Sequence, residues 1–224
     1  MSTIIRGFQI GQSNTITTNK IIKNTYMLLS MTLIFSSLTA YISSLLKTQH
    51  LGFAITFIIY IPLLFMVHIS RNSIWGIISI FMFTGFMGYT IGPMLNIILY
   101  GFSNGSQLIM MSLGLTGFIF IVLSAYVMIT QKNFKFLSGF LFIGLLIILT
   151  SCIINLFFQL PIIQITISGI LVLISSGYIL YQTSEIIHGG ERNYILATIN
   201  LYIQIFNLFV SLLHIITLFT GRRD

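Results

Sequence analysis

The sequence predicts an all-α polytopic membrane protein with seven transmembrane helices. Only 6% of its 224 residues are charged and 56% are hydrophobic, which gives a mean hydropathy of +1.03. Soluble domains carry about 25% charged residues, so this chain has too few charges to cover a surface that faces water. Its apolar residues also fall into long runs of about 20, the length that a helix needs to cross the hydrocarbon core of a bilayer.

Seven such runs follow one another along the chain, and short polar or turn-forming stretches separate them. The clearest breaks are KTQH (47–50), SRNS (70–73), YGFSNGSQ (100–107) and TQKNFK (130–135). The break before the sixth run depends on Pro161, which suits the first turn of a helix because proline lacks an amide proton. The predicted spans cover residues 24–46, 51–69, 74–99, 107–130, 135–157, 159–181 and 193–219.

The two ends of the chain lie outside these spans. Residues 1–23 are rich in Ser, Thr, Asn and Gln and show no sustained apolar period. A segment of this kind is predicted to stay disordered because it cannot bury enough apolar surface. The sequence thus predicts a disordered cytoplasmic tail over 1–23, a seven-helix transmembrane domain over 24–219 and a short C-terminal tail over 220–224.

The placement of charges predicts that the N-terminus is cytoplasmic, because membrane proteins carry an excess of Lys and Arg in their cytoplasmic loops. With that orientation seven basic residues fall inside and three outside. The inner seven are Arg6, Lys20, Lys23, Arg71, Lys132, Lys135 and Arg192, and the outer three are Lys47, Arg222 and Arg223. A full seventh span then places the C-terminus outside. The alternative is a re-entrant last segment, which would bring the C-terminal arginines inside and make the bias nine to one.

The seventh span carries a stripe of polar side chains on an otherwise apolar helix. One polar residue recurs every seven positions from Asn193 to His214, and others interleave at spacings of three and four. Positions with these spacings share one face of a helix, and amides in hydrocarbon are costly unless they are paired. The stripe is therefore predicted either to bond to neighbouring helices or to line a polar cavity. This predicted polar core comprises Asn200, Gln204, Asn207, Ser211 and His214.

Catalytic chemistry is not visible in the sequence. The three acidic residues are Glu185, Glu191 and Asp224, and none lies deep in a predicted span. The four histidines lack the spacing of a metal site, and there is no glycine-rich phosphate loop. We therefore expect a protein that is not an enzyme and that needs no cofactor and no metal.

Several stretches, in order along the chain, resemble the Bax inhibitor family of membrane proteins. SEIIHGGERNYILATINLYIQIFNLFVSLL (184–213) is similar to the closing signature of that family. NKIIKNTYMLLSMTLIFSSLTA (19–40), FTGFMGYTIGPMLN (83–96) and LISSGYILYQTSEIIHGG (173–190) resemble its bacterial YccA branch in particular. The resemblance implies a seven-helix fold in which the last helix is central and the others surround it.

The resemblance also implies a partner and a location. Members of the YccA branch are inner-membrane proteins that bind and modulate FtsH, a membrane-anchored ATP-dependent protease. We therefore expect this protein in the inner membrane of a bacterium, in contact with FtsH and its membrane complex. The charge pattern then places the N-terminus in the cytoplasm and the C-terminus in the periplasm. The alternative function is a leak for calcium or protons, as described for other members of the family.

One departure from the family pattern separates the two functions. Many members carry one aspartate at the end of the sixth helix and another in the seventh, and this pair acts as a proton-sensitive latch on a calcium leak. The matching positions here are Gln182 and Gln204, which cannot titrate. Two carboxylates that share a proton shift each other's pKa, whereas two amides only form hydrogen bonds. The resemblance therefore favours the protease modulator over the leak. Arg71 is the candidate for the basic residue that pairs with the latch in other members of the family.

Overall fold

The structure is a computed structural model that describes residues 2–158 and 161–220, and in these residues the chain forms seven α-helices and no strand. Side chains are described for 18–52, 55–151, 153–155 and 163–220. In chain order the helices are α1 (Ser2–Leu45), α2 (Phe53–Ser70), α3 (Trp75–Gly101), α4 (Gly105–Thr130), α5 (Leu137–Phe158), α6 (Pro161–Ile187) and α7 (Tyr194–Thr220). The predicted all-α fold is confirmed.

Most helix ends fall at the polar breaks that the sequence shows. α2 ends at Ser70, and α4 ends at Thr130, after which Gln131 adopts a left-handed backbone with φ 50°. A non-glycine residue rarely adopts that conformation, and here it turns the chain out of the helix. Pro161 begins α6, as predicted, while Gln159 and Leu160 lie outside the described residues.

Within the described residues, six helices are long and apolar enough to cross a membrane, which confirms a polytopic membrane protein. They are α3, α4 and α7 over their full lengths, α1 from Thr18, and the described parts of α5 and α6. α2 is shorter. Its 18 residues span about 27 Å at 1.5 Å per residue, slightly less than the hydrocarbon core of about 30 Å.

The last helix is central, as the resemblance implied. α7 contacts α1, α2, α3, α4 and α6, whereas in the described part of the chain α5 contacts α6 alone. Leu201, Leu208 and Leu213 of α7 are completely buried. On α5, by contrast, apolar side chains such as Phe140 and Ile143 are exposed, as expected for a helix that faces lipid.

α1 and α3 form the closest pair of helices, and three glycines on one face of α3 make this approach possible. A Cβ atom at Gly85 would meet the ring of Phe35, and one at Gly88 would overlap the carbonyl oxygen of Ser36. A Cβ atom at Gly92 would overlap the side chain of Ser43. Small residues let helix backbones in membranes approach closely, and α3 uses its glycines in this way.

The N-terminal part differs from the prediction. The sequence predicted a disordered tail over 1–23, whereas α1 is helical from Ser2. Ile21 and Ile22 pack against the main hydrophobic core, and this tertiary contact supports helix where the local composition does not. Met1 and the end of the predicted C-terminal tail, residues 221–224, lie outside the described residues.

Candidate functional site

A polar cavity of about 290 Å³ lies between α6 and α7, next to the loop of residues 188–193, which we call the Gly-Gly loop. Gln182, from the last turns of α6, lines this cavity together with Asn200 and Gln204 from α7. The two positions that match the family acid pair, Gln182 and Gln204, therefore share one cavity. Asn200 was placed in the predicted polar core only on the basis of helical periodicity.

Two of the three acidic residues also line this cavity. Glu185 extends from the last turn of α6, and Glu191 comes from the Gly-Gly loop. The Glu185 carboxylate lies against Gly190, where an added Cβ atom would overlap it and turn the flexible Glu185 side chain away. The Glu191 side chain accepts a hydrogen bond from the backbone amide of Asn193 at 2.8 Å.

The cavity is lined by hydrogen-bond donors and acceptors. The amides of Gln182, Asn200 and Gln204 and the hydroxyls of Tyr178 and Tyr181 can do both, whereas the two carboxylates only accept. Gln182 is only 7% exposed, yet its amide is not among the described buried groups that lack a partner, so it opens onto the cavity. A lining of this kind suits water or a cationic group.

The polar faces of α6 and α7 oppose each other beyond this cavity. Ser168 of α6 and Nδ1 of His214 on α7 are 2.7 Å apart, which joins the two helices at the far end of the stripe. The helices are antiparallel, so this pair sets a register in which Ser175 lies level with Asn207. The Ser175 hydroxyl is buried without a hydrogen-bond partner. Along α7, His214 thus lies within hydrogen-bond distance of α6, while Asn200 and Gln204 line the cavity.

Two further residues of the predicted core lie on the same face of α7. Ser211 is buried, and Asn207 is half-buried. Neither lines the cavity beside the Gly-Gly loop. They continue the polar stripe from the cavity towards His214 along the length of the helix.

Asn193 fixes the start of α7 and attaches it to the loop between α2 and α3. Its side-chain oxygen accepts hydrogen bonds from the amides of Ile195 (2.9 Å) and Leu196 (3.2 Å), which caps the helix. Its side-chain nitrogen donates to the Arg71 carbonyl oxygen at 3.0 Å. The Arg71 side chain itself is exposed and does not line the cavity with Gln182 and Gln204, so the structure does not bring this candidate latch cation to the amide pair.

A second connection holds the loop between α4 and α5 against the end of α6. The Ser184 hydroxyl accepts a hydrogen bond from the Phe134 amide at 3.0 Å and lies 3.3 Å from the Lys132 carbonyl oxygen. His188 lies between the same elements, with Nε2 3.1 Å from the Gln131 carbonyl oxygen. The loops after α2, α4 and α6 therefore form one connected end of the bundle, which we call the loop end.

The sequence did not predict the role of Tyr202. This residue is 1% exposed, and its hydroxyl donates to the Thr84 carbonyl oxygen at 3.2 Å. The Ser36 hydroxyl lies 2.6 Å from the Tyr202 hydroxyl oxygen, so Tyr202 joins α1, α3 and α7 at the centre of the bundle. The available signal was a single phenolic hydroxyl in an apolar stretch, which needs a partner when it is buried.

Comparison with known proteins identifies the family. A family profile described as "Inhibitor of apoptosis-promoting Bax1" matches residues 18–222, nearly the whole chain. This chain belongs to the Bax inhibitor family. The initial resemblance is thereby confirmed, and it extends from the beginning of the α1 span to the end of the bundle.

Individual relatives within the Bax inhibitor family cover almost the same length. The chain is 44% identical to the Escherichia coli protein "Modulator of FtsH protease YccA" over 92% of this chain and 93% of the relative. It is 49% identical to an uncharacterized protein of Pseudomonas aeruginosa over 87% of each chain. It is also 42% identical to an uncharacterized membrane protein of Vibrio cholerae over 90% of this chain and 91% of the relative.

Proposed function

We propose that this protein is an inner-membrane modulator of the protease FtsH. The observation that supports this most strongly is the 44% identity to the Escherichia coli modulator, which extends over 93% of that protein. An alignment of that length covers every helix of the bundle. A bundle of apolar helices without an apparent catalytic constellation suits a regulator that acts by contact.

The N-terminal segment is the part that we propose FtsH engages. Residues 1–17 precede Lys20, Lys23 and the apolar run of α1 in the sequence. Drawn out fully, these residues reach about 55 Å at roughly 3.3 Å per residue, far enough for a motor to grip a free end. The helices behind them resist extraction, because each one exposes about 20 apolar residues to water when it is pulled out of the bilayer. The protein therefore occupies the protease while it is degraded slowly.

This mechanism requires the N-terminus to lie in the cytoplasm, where we place it on the basis of charge. Lys20 and Lys23 precede the apolar part of α1, while Lys132, Lys135 and Arg192 belong to loops at the loop end. An excess of basic residues favours the cytoplasmic side. We accordingly place the loop end in the cytoplasm and the C-terminus in the periplasm.

A pulse-chase experiment tests the proposal. Removing residues 2–16 deletes most of the segment that we propose FtsH engages, but it keeps Thr18 and the apolar part of α1. We expect the shortened protein to live several times longer than the full-length protein in cells with active FtsH. Without active FtsH, the two lifetimes should be equal.

The matched control replaces residues 2–16 with a Gly- and Ser-rich segment of the same length. If FtsH needs only a free end of this length, whatever its sequence, this variant should be degraded at the rate of the full-length protein. A lifetime of the full-length protein that is the same with and without FtsH would contradict the proposed engagement.

A second candidate function is the passage of a cation, and the cavity beside the Gly-Gly loop favours it. Glu185 and Glu191 line this cavity together with the amide of Gln182. Carboxylate and amide oxygens suit hard cations. Because glutamine does not titrate, we expect any flux to depend little on pH between about 6 and 8.

Ion flux into vesicles that contain the purified protein tests this alternative. The double variant Gln182→Asp with Gln204→Asp should make the flux depend on pH, because two adjacent carboxylates share a proton. The control changes two glutamines outside the cavity, Gln49→Asp with Gln107→Asp. An ion flux no larger than that into vesicles without protein would contradict the cation function, and it would not bear on the modulator function.

A further inference from the structure

A second, larger cavity of about 650 Å³ lies at the loop end, on the other side of the Gly-Gly loop from the amide pair. Residues 18–22 of α1, the ends of α4 and α6, and the Gly-Gly loop line it. Helices of a membrane protein end where the hydrocarbon core gives way to the headgroups. The cavity therefore lies at the depth of lipid headgroups.

The lining of this cavity has two chemically different parts. Its apolar part consists of Ile21, Ile22, Met128 and Ile187, from the membrane-embedded turns of three helices. Its polar part consists of Thr18 and Asn19 from α1, Gln131 just after α4, and His188 and Arg192 from the Gly-Gly loop. A molecule that fills both parts must have a polar head and an apolar body.

Arg192 determines which kind of polar head fits. Its Nε donates to the Gly189 carbonyl oxygen at 3.2 Å, which fixes one edge of the guanidinium group. Gly189 has φ 72°, a left-handed conformation that favours glycine and that turns the loop at this point. Among the described residues the terminal guanidinium nitrogens have no partner, so they remain available to a ligand. A guanidinium group matches the oxygens of a phosphate.

The Gly-Gly loop separates the charges of opposite sign. Glu185 and Glu191 line the smaller cavity with the amide pair, and neither lines the larger one. Arg192 lines only the larger one. An anion in the larger cavity thus meets a cation without a competing carboxylate in the lining.

His188 fixes the shape of the wall beside Arg192. Its Nδ1 lies 2.9 Å from the Ser184 carbonyl oxygen, and its Nε2 lies 3.1 Å from the Gln131 carbonyl oxygen. These contacts hold the imidazole between the end of α6 and the residue that follows α4, and the ring adds a polar surface to the lining.

We propose that this cavity binds the phosphate headgroup of an anionic glycerophospholipid, with the phosphate on Arg192 and an acyl chain along Ile22 and Met128. Basic pockets between transmembrane helices are suited to acidic headgroups. The apolar part of the lining favours a lipid over a free phosphate ion, because a small ion would leave that part uncovered. The proposal concerns lipid binding alone and does not depend on FtsH.

Native mass spectrometry of the full-length protein in detergent tests the proposal by titration with phosphatidylglycerol and with phosphatidylethanolamine. Both lipids carry a phosphate, but the ammonium group of phosphatidylethanolamine neutralises its headgroup. We therefore expect one phosphatidylglycerol to bind about ten times more tightly than phosphatidylethanolamine. Arg192→Gln should abolish most of this preference. Arg71→Gln removes the same charge from the same end but outside the cavity, so it should keep the preference.

Asn19→Asp provides a second test that does not disturb the fold, because Asn19 is exposed at the rim of the cavity. The added negative charge should weaken phosphatidylglycerol binding, whereas Asn133→Asp, exposed elsewhere at the loop end, should not. Equal affinity for the two lipids, or equal losses in Arg192→Gln and Arg71→Gln, would overturn the proposal. Competition by inorganic phosphate or glycerol phosphate as strong as that by the lipid would show a site for free anions instead.

Discussion

The hydroxyl of Tyr202 is the single polar atom that joins most elements at the centre of the bundle. It donates to the Thr84 carbonyl oxygen, and the Ser36 hydroxyl is 2.6 Å away. Its ring contacts Phe83 edge-on and is nearly parallel to that of Phe206, at centroid distances of 6.3 and 6.2 Å. One side chain therefore fixes the distance between three helices through both hydrogen bonds and ring packing.

Tyr202→Phe keeps the ring packing and removes the hydroxyl. We expect the free energy of unfolding to fall by about 1 kcal/mol, because Ser36 loses a buried hydrogen-bond partner. Tyr41→Phe is the control, since Tyr41 is 62% exposed on α1. The measurement is thermal unfolding of each purified variant in the same detergent. Equal stability of the two variants would show that the central hydroxyl does not hold the helices together.

At the residue scale, the sequence predicted positions that repeat along one helix and missed those that depend on distant partners. Gln182 and Gln204 share a cavity as the family pattern implied, and Asn200 joins them through periodicity alone. Tyr202 is one of ten tyrosines, and its partners Ser36 and Thr84 are 166 and 118 positions away. No local pattern marks a contact over such separations.

At the scale of the elements, glycines on two neighbouring helices have different surroundings. A Cβ atom at Gly88 of α3 would overlap the Ser36 carbonyl oxygen and the Thr39 hydroxyl of α1. A Cβ atom at Gly114 or Gly117 of α4 would meet nothing within 4 Å. Glycine is thus required where α1 and α3 touch, while the α4 glycines, whose spacing also suggests a packing face, face open space.

Gly88→Ala and Gly114→Ala are therefore a matched pair of variants. Gly88→Ala should destabilise the protein by about 1–3 kcal/mol, because the overlapping atom of Ser36 belongs to the backbone and the helices must move apart. Gly114→Ala should be neutral or slightly stabilising, because alanine favours helix over glycine. Unfolding at increasing concentrations of a denaturing detergent measures the stability of both variants. A larger loss in Gly114→Ala than in Gly88→Ala would contradict the observed packing of α1 on α3.

The helices themselves were predictable because apolar runs and polar breaks are local features. Ser70, Thr130 and Pro161 all lie where the sequence placed an end or a start. The N-terminal helix was not predictable in the same way. Residues 18–23 look polar, and their helical state depends on Ile21 and Ile22 packing against a core formed by distant parts of the chain. Glycine spacing alone is limited for a related reason, because a pattern such as that of Gly114 and Gly117 does not show whether a partner helix is present.

At the scale of the whole molecule, the distribution of charge sets the proposed orientation. The loops after α2, α4 and α6 form the loop end and carry Arg71, Lys132, Lys135 and Arg192. On the opposite side, the loop between α1 and α2 contains one cation, Lys47, which lies 5.6 Å from the centre of the Tyr100 ring. The excess at the loop end favours a cytoplasmic position for that end.

A reporter fusion tests this orientation. Alkaline phosphatase joined after Asp224 should be active in a Gram-negative host, because that enzyme works only in the periplasm and α7 is long enough to cross the membrane. A fluorescent protein that matures only in the cytoplasm should be dark at the same position. The opposite pair of results would favour a re-entrant last segment with a cytoplasmic C-terminus.

The proposed function requires that both the whole bundle and its N-terminal segment contact FtsH in the membrane. The similarity that supports this contact covers residues 18–222 and is not confined to one residue. The proposed function predicts that contact through the helices persists when residues 2–16 are removed, whereas degradation by FtsH slows. Binding and degradation should therefore separate in the shortened protein.

Co-purification with FtsH from solubilised membranes tests this claim most directly. The tagged full-length protein and the variant without residues 2–16 are each isolated from cells with a proteolytically inactive FtsH, next to an unrelated polytopic protein of similar length. We expect FtsH to be recovered with both forms, well above the unrelated control. Recovery of FtsH at the level of that control with both forms would contradict the proposed function.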